Sequence, residues 1–150
     1  MHRECGMKLM IPNRLLAFAD GLLARVRPAG GDRTVSWALS PEPSAEPSAR
    51  RIARNRLVQW GLQDQAPVAD LLVGELVTNA LRHSCDRIQL TLTAEDGLLR
   101  CEVEHADPSR ARHRVGREHL LLADLACCWG TAHTCEGKVI WFELPAPGLV

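Results

Sequence analysis

Between Asp70 and His83 the stretch DLLVGELVTNALRH repeats its apolar residues at helical spacing. Wound at about 100° per residue, Val68, Leu71, Leu72, Leu76 and Ala80 share one arc, and Glu75, Asn79 and His83 fall inside that arc rather than opposite it. A carboxylate or an amide buried without partners costs about 2 kcal/mol or more, so a helix that turns them inward must give them company. Two explanations stand side by side: a hydrogen-bond network that only fixes packing, or a pocket whose floor is this helix.

The rest of the chain arranges itself around that stretch. Residues 1–10 read as an irregular start, with Met7 and Met10 as alternative initiators. From Pro12 onward Leu15, Leu16, Ala19, Leu22, Leu23 and Val26 recur at helical spacing, with Arg14, Asp20, Arg25 and Arg27 on the other side. Asn13 suits the cap, and Pro28, Gly30 and Gly31 end the helix. Such a stripe needs a partner. Its own domain, a second copy of the chain in a homodimer, and another protein are all open at this point.

Thr34 to Leu39, TVSWAL, alternates as a short strand with Val35, Trp37 and Leu39 on one face. The following SPEPSAEPSA holds three prolines and reads as extended or irregular, so Ser48 is expected to cap a helix that runs to about Trp60. Its apolar side is Ile52, Ala53, Leu57 and Trp60, and Arg50, Arg51, Arg54 and Arg56 cluster elsewhere on it. Such a cluster is ordinarily a solvated face, with phosphate or an acidic partner as the functional alternative. Gly61 stops this helix, and the organising helix starts near Pro67.

After His83, Ile88, Leu90 and Leu92 alternate toward the Asp96-Gly97 turn, and Leu99, Cys101 and Val103 alternate on the way back, each strand with one buried and one wet face. His105 to Arg117 is basic, broken by Pro108 and Gly116, and reads as a loop. A second buried helix is expected from about Glu118 to Cys128, with Leu120, Leu121, Leu122, Leu125 and Ala126 inward and Trp129-Gly130 closing it. The nearly all-apolar Val139 to Leu144 then reads as a strand interior to the sheet. The order predicts an α+β two-layer sandwich, a mixed β-sheet covered by helices on one face. Its parts are an N-terminal extension over residues 1–31, a domain over residues 34–145, and a tail over residues 146–150.

Composition narrows the chemistry. With 150 residues the chain fits one domain that folds without staples. The 18 basic residues balance the 18 acidic ones, so no broad field draws nucleic acid or an anionic membrane. The six cysteines show no C-x-x-C spacing and read as reduced thiols of a cytoplasmic protein; zinc at Cys127 or Cys128 with His133 and Cys135 lacks a spaced ligand set. No run approaches the ~20 apolar residues of a membrane span, and the charged N-terminus does not resemble a signal peptide. Ser84 beside His83 lacks a placed acid, which argues against a hydrolase.

The run Glu75-Leu76-Val77-Thr78-Asn79-Ala80-Leu81-Arg82-His83 resembles the N-box of the GHKL ATPases, the Bergerat-fold superfamily of gyrase, chaperone, sensor-kinase and mismatch-repair ATPase domains. Within it the chain is most similar to the free-standing anti-sigma-factor serine kinases, over roughly Thr34 to Pro145. The resemblance implies the histidine-kinase-like ATPase fold, ATP and Mg²⁺ as cofactors, and transfer of the γ-phosphate to a serine of a small antagonist protein. It implies Glu75 as general base and Asn79 as magnesium ligand. His83, His105, Asp107, Gly116 and Arg117 would complete the nucleotide site, and a sigma factor or an anti-anti-sigma type protein would be the partner.

The loop from His105 stands where such proteins carry an ATP lid, and its arginines and backbone N–H groups suit phosphate oxygens. Two positions depart from the family pattern. His105 replaces the aspartate that takes the adenine amine, with Asp107 two residues on, and Gly116-Arg117-Glu118-His119 replaces G-R-G-L. Losing the carboxylate contact would weaken ATP by about 2 to 3 kcal/mol, roughly 30- to 150-fold. The alternative is therefore a relative that binds a regulatory partner without turning over ATP.

Overall fold

A computed structural model describes residues 33–83, 86–106, 120–133 and 137–147. The N-terminal stripe, the basic loop with Asp107, Gly116 and Arg117, and most of the tail lie outside the described residues. Strand β1 is Thr34–Leu39, helix α1 Ala45–Gln59, helix α2 Ala66–His83, β2 Ile88–Glu95, β3 Leu98–Ala106, α3 Leu120–Leu125, β4 Cys128–His133 and β5 Gly137–Pro145. A short 3-10 turn, Gln63–Gln65, leads into α2.

Among the described residues the sheet has five strands in the order β1-β2-β3-β5-β4. Its pairings correct the expected mixed sheet, because all four are antiparallel. The reason lies in the connections. Helices α1 and α2 are themselves antiparallel, with Glu46 beside Gly74 and Arg54 beside Asp70, so the pair returns the chain to pair β2 antiparallel with β1. Strands β3 and β4 do run in the same direction, but β5 lies between them.

Alternation sorts the two faces. In the register, Val35, Leu92, Cys101, Phe142 and Trp129 form one inward row, and Trp37, Leu90, Val103, Ile140 and Thr131 the next. Leu72, Leu76, Val77 and Ala80 of α2 pack on these rows with Ala49, Ala53 and Leu57 of α1 in one core. Each fully buried Leu, Ile, Val or Phe contributes about 1.5 to 3 kcal/mol relative to exposure. Gly74 brings the helices together, since a Cβ there would stand 3.1 Å from a Glu46 carboxylate oxygen and 3.3 Å from Arg50 Cδ. Positive φ at Asp96 and Gly97 makes the tight turn that the Asp-Gly pair demands.

Three further expectations are corrected. Helix α1 starts at Ala45, not near Ser48, because Pro47 occupies its first turn, where a missing N–H costs no helical bond. The second buried helix is short. Ala126 N donates to Leu122 O, and then Cys127 N donates to Glu143 O at 3.0 Å, so the chain joins β5 and Trp129-Gly130 becomes strand. In that helix Leu122 is buried but Leu120, Leu121 and Leu125 are exposed, as is Leu71 of α2 at 54%. Among the described residues no helix is long and apolar enough to cross a membrane.

Candidate functional site

Helix α2 carries the first site residues. Asn79 is buried at 5% exposure, and Glu75, one turn earlier, is half-buried, as is His83 one turn later. Leu72, Leu76 and Ala80 anchor this arc in the core, so the amide is held inward by the packing on either side of it. Only four residues separate His83 from Ile88, which places the C-terminal end of α2 at the Ile88 end of the sheet. Glu75 lies two helical turns back, about 12 Å along the axis.

At that end the inner face changes character. The last inward row reads Leu39, Ile88, His105, Lys138 and His133 across the five strands. His105 is buried at 2% and Lys138 at 1%, and Thr131 in the neighbouring row at 7%. His105 thus shares this end of the inner face with Lys138, His133 and, one row in, Thr131, and Asn79 and His83 stand on the helix that ends there. The sequence reading named neither Lys138 nor Thr131 as a site residue and weighed His133 only as a zinc ligand. Extending the alternation of Phe142 and Ile140 by one step would have turned Lys138 inward.

His105 is held in a definite way. Its Nδ1 lies 2.8 Å from the Ala106 carbonyl oxygen. When Nδ1–H donates to that carbonyl, Nε2 of the neutral ring is the acceptor nitrogen. The backbone beside it is closely packed, for a Cβ on Gly137 would collide with the His105 carbonyl oxygen. The half-buried Glu75 can accept a proton, the buried Asn79 can ligate a hard cation through its amide oxygen, and the Lys138 ammonium can hold an anion.

A cleft of about 530 Å³ opens at the same end of the sheet, lined by Trp37, Asp86, Arg87, Gln89, Glu104 and His105 among others. Ser36, Ala38, Gln89 and Glu104 belong to the outer rows of the register, so the cleft faces away from α2. It is not lined by Glu75 or Asn79. Of the expected site residues among those described, Asn79 and His105 are buried, Glu75 and His83 are half-buried, and the cleft adjoins only His105.

Three of the four arginines of the α1 cluster are engaged within the chain, and Arg51 is exposed. Arg50 pairs with Glu46 at 3.0 Å and with Asp70 at 3.2 Å, Arg54 pairs with Asp70 at 3.0 Å, and the Arg56 guanidinium lies 5.5 Å from the Trp37 ring. These contacts tie α1 to α2 and β1. Cys101, Cys127 and Cys128 form no disulfide. Burial, with Glu102 beside it, pushes the Cys101 thiol far above its ordinary range, so it stays protonated and unreactive. Neither a protein-family model nor a curated protein matches this chain.

Proposed function

We propose that the chain is a magnesium- and ATP-binding domain similar to the anti-sigma-factor serine kinases, and that it passes the γ-phosphate to a serine of a small antagonist protein. Asn79 carries this reading. It is a buried amide one turn from a half-buried carboxylate, on the helix that ends at the sheet end whose inner face changes from Leu39 and Ile88 to His105 and Lys138.

In this reading Asn79 offers its side-chain carbonyl oxygen to Mg²⁺, a hard cation that takes oxygen ligands. Glu75 is accessible enough to meet an incoming side chain and accepts the proton of the serine hydroxyl. Bound Mg-ATP supplies the activated phosphoryl group. His105 Nε2 stands in for the missing carboxylate as the acceptor for the adenine amine, and Lys138 adds a cation beside it. His83 closes the same arc, and Asp107, Gly116 and Arg117 of the basic loop are assigned to the base and the phosphates. The cytoplasm, where ATP and reduced thiols coexist, is the compartment that this chemistry requires.

A second reading keeps the fold and drops the turnover: a regulator that binds a sigma factor or an anti-anti-sigma type protein. Two observations favour it, the histidine where the family pattern has aspartate and the cleft that adjoins neither Glu75 nor Asn79. Calorimetric titration with Mg-ATP separates the two. The kinase reading expects binding of micromolar to low-millimolar strength that disappears in Asn79→Ala and tightens about tenfold or more in His105→Asp. Absence of binding at several millimolar assigns the chain to the regulator.

A further inference from the structure

We infer that residues 12–27 dock as an amphipathic helix on the outer face of the sheet, over Trp141, Val139 and Cys128. These three side chains form an apolar cluster separate from the main core, at 3%, 0% and 0% exposure. In the register they alternate with the inward residues Phe142, Ile140 and Trp129, so they point away from α1, α2 and α3. No residue of a described helix belongs to the cluster. The Arg100 guanidinium lies 4.1 Å from the Trp141 ring centroid, which shields one side of the indole only. On the β1 and β2 half of the same face, Thr34, Ser36 and Gln89 are exposed. Something covers β5 and β4 and leaves the other edge open.

Composition chooses between the two long segments outside the described residues, 1–32 and 107–119. The segment 107–119 holds Ala111 and Val115 as its only aliphatic residues besides Pro108, too little apolar surface to bury an indole. Residues 12–27 hold the stripe Leu15, Leu16, Ala19, Leu22, Leu23 and Val26. The reach also suits. From β1 to β5 is three strand spacings, roughly 14 Å, and residues 28–32 extend up to roughly 17 Å. A helix of this length covers roughly 24 Å, enough to lie across both strands.

Charge points the same way. The outer face sets Glu102, Glu104 and Glu143 against Arg100, and the segment sets Arg14, Arg25 and Arg27 against Asp20. Glu143 is 8% exposed, and its Oε1 is buried with no hydrogen-bond partner among the described residues, an acceptor for a donor from the segment. The stripe is thereby assigned to its own domain rather than to a second copy or another protein.

The test uses the full chain. With p-benzoylphenylalanine in place of Glu104, which sits opposite Val139 on this face, and with ¹⁴N and ¹⁵N chains mixed in equal amounts, irradiation should yield cross-links to residues 12–27 within one isotope class. Cross-links to 107–119, mixed-isotope cross-links between two copies, or no cross-link at all overturn the proposal. In a second measurement, Leu15→Asp combined with Leu22→Asp should speed alkylation of the buried Cys128 thiol tenfold or more, with the far-ultraviolet dichroism retained. An unchanged alkylation rate also overturns it, and if the double variant loses its dichroism the cross-link decides.

Discussion

Phe142 and Trp141 are neighbours in β5, point to opposite faces of one sheet, and are both buried, but only Phe142 has described helices above it. The inner face is closed by two antiparallel helices whose small residues, Ala49, Ala53, Gly74 and Ala80, let leucines and valines interdigitate. The outer face is closed over half its width. There an ion-pair network, Arg100 to Glu102 at 2.7 Å and to Glu143 at 3.3 Å, borders the apolar cluster. Burial of a sheet residue is therefore not a mark of the helical layer alone, and a strand such as β5, apolar almost throughout, records cover on both sides.

The largest effects test this contrast directly. Phe142→Ala should cost about 3 to 5 kcal/mol, read as a lower urea midpoint, because it opens a cavity between sheet and helices. Trp141→Ala should cost about 3 kcal/mol if the outer face is covered. A loss under roughly 0.5 kcal/mol, the scale of an open surface position, would show that the two faces differ in kind. Next comes the network. Arg100→Ala should cost about 2 kcal/mol, since it strands two carboxylates at 14% and 11% side-chain exposure. Joining Arg100→Met with Glu102→Leu and Glu143→Leu should recover most of that loss, because replacing every member of a buried ion-pair network by apolar groups is close to neutral.

Strand β1, the β2-β3 hairpin and the body of α2 were legible in the sequence because each obeys a local rule: alternation at Val35, Trp37 and Leu39, a left-handed turn at Asp96-Gly97, helical spacing from Val68 to Ala80. The expectation that Asn79 turns inward rests on the same periodicity, and its side chain is buried; His105, expected to begin a loop, instead continues the alternation of Cys101 and Val103 near the end of β3 and is buried too. What failed depended on partners far along the chain. Trp129-Gly130 looks like a helix end until Glu143 O takes the Cys127 amide, and β4 exists only through its pairing with β5. The direction of the sheet followed from how many elements separate paired strands, which no window of sequence contains. Leu71, Leu120 and Leu125 remain exposed despite apolar patterning, because a stripe says which residues can be buried and not how wide the opposing surface is.

The candidate site was half visible. Glu75, Asn79 and His83 announce themselves by standing on an apolar arc, whereas Lys138 pairs with His105, and Thr131 stands in the neighbouring row, only through the register. The cleft on the outer face adds a rival location that shares His105.

Amide hydrogen exchange with and without Mg-ATP distinguishes the two locations. At several millimolar Mg-ATP, exchange should slow at the C-terminal half of α2 and at the ends of β3 and β5 around His105 and Lys138. Unchanged exchange throughout, or slowing confined to Ser36, Gln89 and Glu104 on the opposite face, would contradict the assignment of Glu75 and Asn79 to a nucleotide site.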